Sequence, residues 1–126
     1  MNPMRDILAA VALVGLALLS LPACAALQIT DDLGVVVNFE RSPQRIVSLL
    51  PSLAETVCEL GQCQRLVGVD RYTNWPASVK PLPKVGGGLD PNIEQIVALR
   101  PDVVLMATSS RAGDRLRALG LKVVAL

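Results

Sequence analysis

The chain has 126 residues, a net charge of +1 and no histidine. Apolar residues make up 52% and charged residues 18%, too apolar a balance for disorder and enough chain for one domain. The near-zero charge and 2% aromatic content exclude a basic, ring-studded nucleic-acid surface. The missing histidine excludes Ser-His-Asp and Cys-His nucleophiles and every histidine-containing metal site.

Arg5 precedes an uncharged stretch from Ile7 to Thr30 whose centre is rich in Leu, Ala and Val and ends in Pro22-Ala23-Cys24-Ala25-Ala26. A basic start, an apolar middle and a small-residue end are the three parts of a secretory signal, and cleavage after Ala25 satisfies the Ala-x-Ala rule. Residues 1–25 are therefore expected to be a signal peptide. Leu21-Pro22-Ala23-Cys24 also approximates a bacterial lipoprotein box, with a leader ending at residue 23 and lipid on Cys24. The apolar run is also just long enough to span a bilayer as an uncleaved anchor. The remaining domain, residues 27–126, has about 100 residues, sufficient for one small core.

From Leu27 to Phe39 the pattern alternates around Asp31-Asp32-Leu33-Gly34, which predicts a hairpin of two short strands. A polar linker, Glu40 to Gln44, leads to a buried strand at Arg45 to Leu50. Ser52-Leu-Ala-Glu55 matches a capping box at the start of a helix whose buried stripe is Leu53, Val57 and Leu60, with Gly61 as its stop. Arg65 to Val69 is a second strand. Asp70 to Lys84 holds Pro76, Pro81 and Pro83 with the only Tyr and Trp, and is expected to be an irregular excursion.

Val85 to Leu105 is the most informative segment. Asp90 is placed to cap a helix, Pro91 suits its first position, and Ile93, Ile96 and Val97 share one face. Pro101 stops the helix by disfavouring the α conformation at Arg100, and Val103 to Met106 is a strand covered on both faces. A helix from Arg111 to Leu119, a cap at Gly120 and a strand at Lys122 to Leu126 complete the chain. Strands alternating with helices predict an α/β fold with a doubly wound, mostly parallel, Rossmann-like sheet and an N-terminal β-hairpin. An apolar last strand with no following helix is expected to leave one sheet face or edge short of cover.

Cys58 and Cys63 are too few for a structural zinc site. In an oxidising compartment they can form a disulfide across the helix end; the alternative is a small buried Cys58 and an incidental Cys63. Gly86-Gly87-Gly88 before a helix invites a phosphate loop, but Asp90 would repel phosphate and neither GxGxxG nor GxxxxGK[ST] is present. The glycines instead suit close ligand approach or a tight turn. Arg71, Tyr72 and Trp75 offer a cation and two flat faces suited to a bulky ligand, although Trp75 can equally pack beneath its own loop. Parallel sheets bind at the carboxyl ends of their strands, where Leu50 to Ser52, Asp70 to Trp75 and Thr108 to Arg111 all fall. Glu94, early in its helix, is by default a solvated, dipole-favoured carboxylate.

The ordered set Arg45-Ile-Val-Ser-Leu-Leu-Pro-Ser-Leu-Ala-Glu-Thr, Leu66-Val-Gly-Val-Asp-Arg-Tyr, Val85-Gly-Gly-Gly and Asn92-Ile-Glu-Gln-Ile-Val-Ala-Leu-Arg-Pro-Asp-Val-Val-Leu resembles the amino-terminal lobe of the periplasmic binding proteins that feed cobalamin and ferric-siderophore ABC importers. The cobalamin-binding branch is the nearest match. The resemblance implies a single lobe of a normally two-lobed fold of the helical-backbone type, without catalysis or cofactor. It implies that Ser52, Arg71, Tyr72, Trp75, Gly86, Gly87, Gly88, Ser109, Ser110 and Arg111 border a corrinoid or ferric chelate. It also implies that Glu94 docks on the inner-membrane permease. The rival readings are a Rossmann-like nucleotide-binding enzyme fragment and a lone lobe that binds only a membrane partner.

Overall fold

A computed structural model describes residues 26–126; the expected leader, its expected cleavage site and Cys24 lie outside the described residues. Strands β1 (Leu27–Thr30) and β2 (Val36–Phe39) form an antiparallel hairpin. Four further strands, β3 (Ile46–Ser48), β4 (Leu66–Val69), β5 (Val103–Met106) and β6 (Val123–Ala125), make a parallel sheet in the order β4-β3-β5-β6. Helices α1 (Pro51–Glu59), α2 (Ile93–Ala98) and α3 (Gly113–Ala118) lie between strands. Because β3 is flanked by both β4 and β5, the chain winds outward in two directions, which is the doubly wound parallel sheet expected from the sequence.

Each strand feeds two cores by the two-residue alternation of its side chains. Ile46, Val103 and Val124 join Ala54 and Val57 of α1 on one face. Val47, Val104 and Val123 join Ile93 and Ile96 of α2 and Leu116 of α3 on the other. The last strand is not short of cover on the α1 face, because the hairpin folds over it. Val37 and Phe39 pack in the same cluster as Val124, and Asp32 N–H donates to the Ala125 carbonyl at 3.0 Å. Asp31, buried in the hairpin turn, accepts N–H bonds from Leu33 (3.0 Å), Val35 (2.8 Å) and Ala125 (3.2 Å).

The helix boundaries depart from the sequence reading at their caps. No capping box forms at Ser52: α1 starts at Pro51, with Leu50 as the cap residue and no side-chain cap. Proline has no N–H to satisfy and fixes the helical φ, so the helix begins two residues early. The Ser52 carbonyl accepts from Thr56 Oγ1 at 2.8 Å. The buried stripe of α1 is Ala54 and Val57, whereas Leu60 lies past the last turn and is 72% exposed.

Asp90 does not cap α2. Asn92 does, its side-chain oxygen accepting from Gln95 N–H at 3.0 Å, while Pro91 bridges Gly86 in the preceding loop. The inner stripe of α2 runs Ile93, Ile96 and then Leu99, and Val97 faces outward. Arg100 adopts φ 47°, a left-handed stop that Pro101 favours by excluding the α conformation before it. Gly120 ends α3 at φ 83°. Cys58 and Cys63 are joined in a disulfide across the carboxyl end of α1.

Candidate ligand cleft

The carboxyl ends of β3, β4 and β5 open onto a cleft of about 270 Å³, lined by Leu49, Leu50, Pro51, Asp70, Tyr72, Gly88, Leu89, Ala107 and Ser109. It sits where the chain leaves β3 toward one sheet face and enters β5 from the other, the crevice at which open α/β sheets take ligands.

Asp70 builds the wall that follows β4. Its carboxylate is 1% exposed and accepts Tyr72 N–H at 3.0 Å and the Thr73 hydroxyl. Lys84 Nζ donates to the Thr73 carbonyl at 2.6 Å. The polar groups of this turn are thus spent internally, and its rings point outward: Tyr72 is 69% exposed and Trp75 62%. A large exposed ring has no internal partner to satisfy and is available to a ligand face.

The glycine loop packs against this wall. Arg71 N–H donates to the Gly86 carbonyl at 2.8 Å, and Arg71 Nη2 meets Asp90 Oδ2 at 2.6 Å. The hydrogen bond and charge of Asp90 hold the Arg71 guanidinium pKa above its ordinary value. The guanidinium carbon lies 5.8 Å from the centre of the Tyr72 ring. Gly86 has φ 91°, and a Cβ there would stand 2.8 Å from the Asp90 carbonyl; at Gly87 it would stand 2.5 Å from Asp90 Oδ1. A side chain at Gly86 would strain the backbone, whereas one at Gly87 would displace the Asp90 carboxylate. Gly88 offers its carbonyl to Ser110 Oγ at 2.7 Å, which straps the loop to the segment after β5.

Of the residues proposed from sequence, Tyr72, Gly88 and Ser109 line the cleft directly. Arg71, Gly86 and Ser110 hold the loops behind it through the bonds above, while Gly87 and the exposed Trp75 are not among its lining residues. Ser52 lies exposed in the first turn of α1, and Pro51 and Leu50 line the cleft in its place. Arg111 lines an adjoining depression of about 250 Å³ with Leu89, Asp90 and Ile93. Glu94 is exposed in the first turn of α2. Sequence reading missed Leu89, 81% exposed between two loop elements; a leucine in an otherwise glycine-and-aspartate turn was the available signal. Asp70 reads in the sequence only as the start of a rim segment; that its carboxylate ties the turn is announced only by a hydroxyl three residues on.

Residues 46–126 match the periplasmic binding protein family. The chain belongs to that family. It is 33% identical over 111 residues to the vitamin B12-binding protein of Yersinia pestis, covering 86% of this chain and 39% of that one. It is 36% identical over 93 residues to an uncharacterised ABC transporter substrate-binding lipoprotein, YvrC, of Bacillus subtilis, covering 70% of this chain and 29% of that one. The crystal structure of a periplasmic heme-binding protein from Pseudomonas aeruginosa superposes with a TM-score of 0.62 at 37% identity, over 68% of this chain and 32% of that one. The chain therefore spans less than two-fifths of the length of the curated relatives it matches, 29% and 39%, as one lobe of a two-lobed fold does. Among the described residues no helix is long and apolar enough to cross a membrane.

Proposed function

We propose that this chain supplies the amino-terminal lobe, residues 27–126, of an exported substrate-binding component of an ABC importer, and that it binds and delivers ligand without catalysis. The observation that carries the reading is the cleft at the sheet switch point, lined by the exposed Tyr72 and Leu89, with the exposed Trp75 three residues along the chain from Tyr72. Flat aromatic and apolar faces with few free charges suit a large macrocycle or wrapped metal chelate: a corrinoid, an iron-siderophore or, from the structural relative, heme. One lobe covers part of such a ligand, so the affinity of the lobe alone is modest. Export through the residue 1–25 leader, by signal cleavage or by lipidation at Cys24, places it in the periplasm, and the lipoprotein relative from Bacillus subtilis supports such a route.

Trp75 is the only tryptophan and stands three residues from the cleft-lining Tyr72, close enough for a bound chromophore to quench it. Cyanocobalamin, hemin or a ferric siderophore is expected to quench it saturably, and Tyr72→Ala to weaken that quenching. Absence of saturable quenching by all three would refute the ligand reading.

Glu94 is proposed as the permease contact, being an exposed carboxylate in the first turn of α2. Glu94→Lys should reduce capture by the cognate permease in detergent; undiminished capture would leave Glu94 a solvated helix-start carboxylate. The nucleotide alternative loses ground on geometry, since the glycine loop holds the Asp90 carboxylate where a phosphate would need donors.

A further inference from the structure

Arg71 is the cation set beside the exposed Tyr72 ring, and its side chain is 44% exposed. A guanidinium in that position would attract any anionic ligand, since arginine pairs readily with carboxylates through its forked donors. Here its charge is met by Asp90 at 2.6 Å. Exposed ion pairs contribute little to stability, yet the loop is shaped around this one. Gly87 has no side chain, and a Cβ there would stand 2.5 Å from Asp90 Oδ1 and 3.5 Å from Arg71 Nη2. The Arg71 backbone is in turn fixed by its 2.8 Å bond to Gly86. Gly86 thus fixes the Arg71 backbone, and the missing side chain of Gly87 leaves room for a carboxylate on the guanidinium beside the Tyr72 ring.

We infer that Asp90 is a specificity-determining residue: by neutralising Arg71 it makes the Tyr72 wall favour an uncharged macrocycle over one bearing free carboxylates. The inference rests on the macrocycle reading above and deepens it. A ligand carboxylate reaching Arg71 must displace Asp90 or share the guanidinium with it, and like-charge juxtaposition is a strong discriminator. An uncharged ring stacks on Tyr72 without disturbing the pair. Arg111, on the adjoining depression, is a constant cation in every variant below and cancels from the comparison.

The test titrates Trp75 fluorescence of the whole chain with cyanocobalamin, which is net uncharged, and with hemin, which carries two propionates. In Asp90→Asn the ratio of hemin to cyanocobalamin affinity should rise about threefold to fivefold. Adding Arg71→Gln to that variant should return the ratio toward the parent value. Arg71→Gln alone, which leaves Asp90 unpaired, should lower the ratio and provides a second reading if Asp90→Asn folds poorly. A ratio unchanged by either single substitution, or a rise that persists without Arg71, overturns the role of Asp90 while leaving macrocycle binding intact. Failure of the parent chain to bind either ligand overturns both that reading and this one.

Discussion

The two ends of the parallel sheet use their polar groups in opposite ways. At the amino end, Asp102 Oδ2 accepts the N–H groups of Gln44 (2.8 Å) and Arg45 (3.0 Å). The Arg45 side chain returns to the Leu99 carbonyl at 2.6 Å, and Arg65 donates to Ser42 and Pro43. A depression of about 250 Å³ exists there too, bounded by Phe39, Arg41, Asp102 and Lys122. Lys122 is itself turned onto the Phe39 ring and the Asn38 carbonyl. At the carboxyl end the backbone is just as firmly tied, but the rings of Tyr72 and Trp75 and the Leu89 side chain are left to solvent. Depth alone therefore does not identify a site; the difference lies in whether the side chains around it are already committed to the chain itself.

Substitutions at the two ends should separate stability from binding. The largest effect is expected at the scaffold of the cleft. Gly86→Ala places a Cβ at φ 91° against three backbone atoms, and should cost about 3 kcal/mol in denaturant unfolding and abolish macrocycle binding. Next, Cys58→Ser at the amino end opens the disulfide loop and should cost about 2 kcal/mol by loop-closure entropy, with quenching of Trp75 unchanged.

A further effect appears in acid. Burial pushes the Asp31 carboxyl pKa up, but the amides of Val35, Ala125 and Leu33 and the Arg117 guanidinium together hold it below its ordinary 3.8. With the folded value lowered, the contribution of Asp31 is complete above 3.8 and is lost as pH falls through the lower folded value. Asp31→Asn should accordingly be less stable at neutral pH, and its deficit should shrink as both proteins are taken into acid. The smallest effect on stability is expected at the most exposed cleft residue. Tyr72→Ala should shift unfolding by no more than about 0.5 kcal/mol while weakening macrocycle binding about tenfold. A large stability loss there would mean that the ring is part of the fold rather than of a site.

The parallel sheet and its order of elements were legible because buried β-branched runs and proline or glycine stops are local signals. Val103 to Met106 and the Arg100-Pro101 stop show this directly. The caps were not legible, because local rules cannot see distant partners. Asp90 has the right chemistry for a cap, but Arg71, nineteen residues earlier in the chain, takes its carboxylate and leaves Asn92 to do the capping. Ser52 failed for a nearer reason, since Pro51 already supplies a helix start that needs no donor satisfied. The cover over β6 depended on the hairpin at the other end of the sequence, and nothing in Lys122 to Leu126 announces it.

The cleft itself was half legible. Strand ends and the Tyr72 excursion pointed to the end of the sheet where the cleft lies, because a crevice at the carboxyl ends is a property of topology. Which residues line the cavity and which merely brace it depended on side-chain packing. Gly86 and Ser110 turn out to brace, and Leu89 and Asp70 to line.

The most direct test of a carboxyl-end site is backbone amide shift mapping of the isotopically labelled chain with cyanocobalamin and with hemin. Perturbations should concentrate at residues 49–52, 70–75, 86–90 and 107–111, with residues 40–45, 100–102 and 120–122 at the amino end unmoved. Shifts centred on the amino-end depression, or none at saturating ligand, would contradict the account.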